Sequence, residues 1–310
     1  MTPRRILVPT DFSASAGAAL DHAVALADRF RAPLFLLHVV PEASSDPYGL
    51  GDAEVQIDRL KEQAEAAAQA QLADLAPDFA AQEVQTDVVQ NPEGDVVDAI
   101  EEYVVESAID LVVMGTHGRR GIGRLVLGSV ANRLIRRGVA PVLTVRDPGG
   151  EARTAEPVAY ENVLAPIDFS DHSRRALRVS KEVASRFGAT QHLLFVAEKR
   201  VLPTFSDTGI PGVGVVEMDP EIVANAEQAL DEFNTTVGGP AVATASHVEE
   251  GDVAQTIVDF ADHHETDLIV MATRGLSGID RFVLGSNTER VVRTASCPVL
   301  TVPASTENDD

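Results

Sequence analysis

The chain has 310 residues, 45% of them apolar, with a formal charge of −23 and a pI near 4.6. That length accommodates two domains, each with a core of its own, and the acidity argues against a sequence-independent grip on nucleic acid or on an anionic membrane. No apolar run approaches the roughly 20 residues that span a bilayer, and the opening "MTPRRILVPTDFSA" lacks the uninterrupted apolar core of a secretory signal. The expectation is a cytoplasmic protein. One cysteine, Cys297, excludes an internal disulfide and a multi-cysteine metal site. It reads as a small apolar residue entering a strand before Pro298. Only three of the 25 basic residues are lysines, Lys61, Lys181 and Lys199. An acidic, lysine-poor chain of this kind suggests a halophilic habitat, where screening removes self-repulsion.

In chain order, "RILVPT" is a short β-branched strand ended by the Pro-Thr-Asp turn, and Ser13 is placed as N-cap of an alanine-rich helix running to about Phe30. "PLFLLHVV" is a second strand. A Pro, Ser, Gly and Asp-rich loop over 41–52 leads to the helix "EVQIDRLKEQAEAAAQAQLADL", whose end Pro77 marks. "VQTDVVQ" is a third strand, "GDVVDAIEEYVVES" a helix, and "DLVVMG" a fourth strand. After the helix "SVANRLIRR", "PVLTV" is the fifth. The near-continuous apolar central strands predict a parallel sheet covered by helices on both faces.

The same plan is written a second time. "LVPTDFSASAGAALDHAVALADRFRAPLFLLHVV" at 7–40 answers to "LAPIDFSDHSRRALRVSKEVASRFGATQHLLFVA" at 164–197, and "EGDVVDAI" answers to "EGDVAQTI". Asp11 and Asp168, Asp95 and Asp252, Asp110 and Asp267, and Pro141 and Pro298 are each 157 apart. Length changes in the variable middle, roughly 41–83 against 198–240, are therefore expected to cancel. The reading is two tandem Rossmann-like α/β domains, 1–146 and 162–310, joined by a linker over 147–161 rich in Pro, Gly and charge. In such sheets ligands sit beyond the carboxyl ends of the strands, near the switch in strand order.

The segment "MGTHGRRGIGRLVLGS" at 114–129 leaves the fourth strand at that end. Gly115 and Gly118 are expected to let backbone approach a bound group and to adopt positive φ. Gly128-Ser129 opens a helix whose unpaired amides and positive dipole end suit a phosphate, with Arg119, Arg120 and Arg124 near in sequence. The competing reading is a long turn with a C-cap. The segment is not a P-loop, since G-K-[ST] is absent, and it lacks G-x-G-x-x-G spacing. "MATRGLSGIDRFVLGS" at 271–286 repeats it with Ala272 at the first glycine and Arg274 in place of His117.

Together "VPTDFS", "MGTHGRRGIGRLVLGS" and "APVLTV" resemble the universal stress protein family, in its nucleotide-binding branch with the G-x2-G-x9-G-[ST] pattern. The resemblance covers nearly the whole chain as two copies and is weakest in the variable loop and second helix. It implies an adenine nucleotide, ATP or a relative, with Mg²⁺ accompanying a bound triphosphate. On the first copy the implied nucleotide residues are Pro9, Asp11, Val39, Met114, Gly115, Gly118, Gly128 and Ser129. On the second they are Pro166, Asp168, Val196, Met271, Ala272, Gly275, Gly285 and Ser286. Asp11 has the alternative reading of a turn-forming residue, and Val39 and Met114 that of ordinary core. Ala272 makes the second site the weaker of two expected to bind. The family also implies pairing through the last strand, here between the two copies, while association of two chains is left open.

No catalytic residue is assigned. A nucleophile elbow is missing, and adjacent His263 and His264 point about 100° apart on a helix, poor for joint metal ligation. The leading expectation is a nucleotide-dependent stress-response or signalling module. The alternatives are a slow ATPase or self-phosphorylating enzyme and a nucleotide-free interaction scaffold.

Overall fold

The computed structural model describes residues 2–41, 53–75, 83–91, 95–116, 127–146, 157–198, 201–205, 211–215, 220–275 and 284–304. They divide into two compact units, Thr2–Ala159 and Tyr160–Ala304.

The first unit runs β1 (Ile6–Pro9), α1 (Ala14–Phe30), β2 (Leu34–Pro41), α2 (Ala53–Leu75), β3 (Val84–Asn91), α3 (Val96–Glu106), β4 (Leu111–Gly115), α4 (Ser129–Arg137) and β5 (Val142–Val145). Its strands are parallel in the order β5-β4-β1-β2-β3. With right-handed crossovers, α1 and α2 cover one face and α3 and α4 the other, and α3 packs on α4. Leu7, Val8, Leu36, Val112, Val113 and Leu143 form the buried centre of the sheet. Burying both faces explains why these strands carry apolar runs rather than alternation. The strand order reverses between β1 and β4, so their carboxyl ends flank a crevice.

The caps fall where side-chain chemistry places them. Ser13 Oγ accepts from the Ala16 N–H and starts α1, while Arg31 closes it in the left-handed region at φ 55°. Asp95 caps α3 in a reciprocal box with Asp98.

The second unit repeats the plan with β6 (Asn162–Pro166), α5 (Asp171–Phe187), β7 (Thr190–Glu198), α6 (Pro220–Thr236), β10 (Thr244–Gly251), α7 (Val253–His263), β11 (Leu268–Ala272), α8 (Ser286–Thr294) and β12 (Val299–Val302). Its parallel order is β10-β7-β6-β11-β12. Between β7 and α6 lies an antiparallel hairpin, β8 (Val201–Phe205) with β9 (Pro211–Val215), that the sequence reading does not assign.

Register corrects the expectation that length changes cancel within the variable middle. Leu37 pairs with Asp87 in the first unit and Leu194 pairs with His247 in the second. The third strands are thus 160 apart, whereas Asp95 and Asp252 remain 157 apart. The second copy gains three residues before its third strand and loses them between that strand and the next helix.

Candidate functional site

In both copies the first strand ends in the same constrained turn. Asp11 Oδ1 accepts from the Ser13 N–H at 3.1 Å, and Asp168 Oδ1 accepts from the Ser170 N–H at 3.0 Å and the Ser170 hydroxyl at 2.6 Å. Phe12 and Phe169 sit between at φ 60° and 62°, a region unfavourable to bulky side chains. The Asx-type bonds hold each phenylalanine there. The turn-forming role of both aspartates is therefore present, with each carboxylate half-buried at the crevice. Thr10 N–H donates to Leu37 O, and Ile167 N–H to Leu194 O, locking the turn to the neighbouring strand.

On either side of β1 lie Val39 on β2 and Met114 on β4, both buried. Pro9 closes β1 and is half-buried. The second copy matches with Val196, Met271 and Pro166.

The segment after the fourth strand is anchored at both ends. Thr116 N–H donates to Val145 O, and Gly128 N–H returns to Thr116 O at 2.6 Å. In the second copy Thr273 N–H donates to Val302 O, and Gly285 N–H to Thr273 O at 2.8 Å. Gly128 and Gly285 are the N-caps of α4 and α8, and neither helix head carries a side-chain capping bond. Ser129 and Ser286, the first helical residues, are exposed. A Cβ on Gly285 would lie 3.3 Å from Thr273 O, so a side chain would press on the closing bond.

Gly115 departs from expectation. It is not in the positive-φ region. A Cβ there would meet the backbone carbon and oxygen of Ser15 at 2.8 Å. The missing side chain lets the first turn of α1 press on β4. Gly275 has a different role, since a Cβ there would stand 2.5 Å from Asp168 Oδ2. The loop backbone therefore reaches the first-strand turn in the second copy. Gly118, His117, Arg119, Arg120 and Arg124 lie outside the described residues.

Two pairs of repeated aspartates have structural work that spacing alone does not reveal. Asp95 and Asp252 cap α3 and α7 and receive Arg133 and Arg290, which hold both carboxyls below the usual carboxylate range. Asp110 accepts from the Arg4 and Arg5 N–H groups, and Asp267 from those of Glu161 and Asn162, tying the fourth strand to the first in each copy. Burial pushes the Cys297 thiol up to about 12, which leaves it inert at neutral pH.

The profile of the universal stress protein family matches residues 2–146 and again 159–303. The chain belongs to the universal stress protein family. A universal stress protein of Mycolicibacterium smegmatis is 29% identical over 307 residues, 96% of each chain. Universal stress protein MJ0531 of Methanocaldococcus jannaschii is 34% identical over 144 residues, 46% of this chain and 82% of that protein. The crystal structure of a universal stress protein from Archaeoglobus fulgidus superposes with a TM-score of 0.67 at 18% identity, covering 98% of this chain and all of that one, a likeness of fold. This chain is thus a tandem universal stress protein. No helix among its described residues is long and apolar enough to cross a membrane.

Proposed function

We propose that each domain binds ATP or a related adenine nucleotide, and that its occupancy sets the state of a stress-response or signalling module in the cytoplasm. The observation that carries this reading is the repeated pair of glycine-capped helix heads. In both copies an exposed helix N-terminus without a side-chain cap is pinned by a glycine N–H to the end of the fourth strand, beside the switch in strand order. Unpaired amides and the positive end of the dipole favour an anion there.

The chemistry of the lining supports an amphipathic ligand. Buried Val39 and Met114, half-buried Pro9 and Asp11, and exposed Ser129 run from apolar interior to solvent. Such a gradient suits a flat apolar base at one end, a hydroxylated sugar near the carboxylate and a charged tail at the helix head. In the second copy the bare edge of Gly275 against Asp168 is a close approach that any side chain would fill. Mg²⁺ would arrive with the phosphates of a triphosphate.

Ala272 weighs on the second site less than its sequence position suggests. At the matching Gly115 the free direction points at α1, the helix side of the strand. We infer that the Ala272 methyl alters the seating of α5 and leaves the phosphate end in place, so that both sites bind, the second more weakly.

Ser129→Asp with Ser286→Asp tests the reading without sacrificing the fold. An acidic group at a helix head stabilises the helix and repels a phosphate. Calorimetry of the full chain with Mg-ATP should give two equivalents for wild type and none for the double variant at undiminished melting temperature. Unchanged binding in that variant overturns the proposal.

A further inference from the structure

The sequence shows eight histidines scattered along the chain, yet the fold gathers three of them in the C-terminal domain. His192 comes from β7, His247 from the outermost strand β10, and His264 from the C-cap of α7. The His192 and His247 rings are stacked, with Nδ1 of the first 3.1 Å from Nε2 of the second. His264 lies face to face on Phe260 at 3.7 Å, and Phe260 meets His247 edge-on at 4.8 Å. Ring centroids of His264 stand 5.4 Å from His247 and 6.0 Å from His192. All three rings are half-buried. They are not arranged as a metal site.

The hydrogen bonds specify the neutral forms. His192 Nε2 faces Asn162 Oδ1 at 3.3 Å, an acceptor, so its proton belongs on Nε2 and its Nδ1 lone pair faces His247. The His247 Nε2–H then donates across the 3.1 Å contact. His264 Nδ1 donates to Phe260 O at 3.0 Å. Protonating both His192 and His247 would set two N–H groups against each other and destroy the donor-acceptor pair.

The surrounding carboxylates are occupied or remote. Asp259 receives Gln255, Asp262 receives Ser296, Asp252 receives Arg290, Asp231 receives Ser246, and Asp267 receives the Glu161 and Asn162 amides. Glu161 just before β6, Glu198 on β7, Glu249 and Glu250 on β10, His263 at the end of α7 and Glu265 just after it are solvent-facing or partly so. None of these carboxylates forms an ion pair with the three rings among the described residues, and the charges that act on His192 and His247 are those of the other rings.

We propose that His192, His247 and His264 form an acid-released latch that holds β10 and α7 onto the C-terminal domain at neutral pH and loosens them as the medium turns mildly acidic. Desolvation, followed by the neighbouring rings, lowers the pKa of His192 and His247. A histidine depressed in the folded state contributes stability that is complete above its unfolded value of about 6.5 and is lost as pH falls from there towards the folded value. Among the described residues, the matching register of the first domain has no such latch. Phe35 and Asp87 stand at the matching register, and Asp87 accepts from the Tyr103 hydroxyl instead. It has its own acid-labile group, His22, pushed to about 4 by burial, so the readout must be local.

Hydrogen exchange of the full chain, corrected for the intrinsic pH dependence of amide exchange, would compare peptides across 244–264 with those across 84–106 between pH 7.5 and 5. Opening of the first set should rise by up to about tenfold per pH unit for each proton taken up. His192→Phe combined with His247→Gln should abolish most of that rise. A wild-type slope in this variant overturns the latch. Should the variant fail to fold, a proton NMR titration of the wild-type histidines decides: two rings titrating below the ordinary value support the latch, and none doing so overturns it.

Discussion

Gly115 and Ala272 occupy the same strand position in the two copies, yet one methyl group has different consequences at each. Beside Gly115 the added carbon would sit 2.8 Å from backbone atoms of Ser15, which cannot rotate away. Gly115→Ala should therefore destabilise the N-terminal domain by about 1–3 kcal/mol through overpacking. Ala272→Gly should cost only about 0.5–1 kcal/mol, from backbone entropy. Urea denaturation of the two variants checks both, and an unchanged midpoint for Gly115→Ala would contradict the close approach of α1. His263 and His264 make a similar point about context. Their divergence on the helix, and the stacking of His264 on Phe260 four residues back, are local, but that His264 meets His192 and His247 while His263 stays exposed depends on β7 and β10, far away in sequence.

Elements whose ends are written in local chemistry were legible in the sequence. Ser13 and Phe30 bound α1 as expected, and the β-branched runs of β1, β2, β4 and β5 appear with ends within one or two residues. The β8–β9 hairpin was not, because "VLPTF" and "PGVGV" are short and interrupted by Pro and Gly. Nor was the three-residue offset of β10, since pairing register depends on partners rather than on the strand itself. Of the candidate site, the strand ends and helix heads were readable from motif spacing; the bond from Gly128 to Thr116 and the approach of Gly275 to Asp168 were not, being contacts across the loop.

Long-range support also fixes α6. Lys181, one of three lysines and itself buried, donates from Nζ to Asn234 O at 2.6 Å and Val237 O at 2.9 Å, satisfying carbonyls at the end of that helix. Lys181→Met should cost about 1.5–3 kcal/mol and raise amide exchange over 230–237. Unaltered exchange there would show that the ammonium is dispensable.

Across the whole molecule, a charge of −23 opposes compaction unless it is screened. The melting temperature is expected to rise between about 0.1 M and about 1 M KCl, as the Debye length falls from roughly 10 Å to roughly 3 Å. A melting temperature already at its plateau in the dilute salt would remove the case for a halophilic habitat. Salt should at the same time weaken an anion held at the helix heads, so nucleotide binding and folding are expected to respond in opposite senses. The tandem arrangement supplies two such heads per chain, at Gly128-Ser129 and Gly285-Ser286. Amide NMR of these four residues during titration with Mg-ATP, and separately with adenosine, tests their role most directly. The account predicts large shifts at all four with Mg-ATP and small ones with adenosine. Four unmoved amides at saturating Mg-ATP, or equal shifts with adenosine, would contradict it.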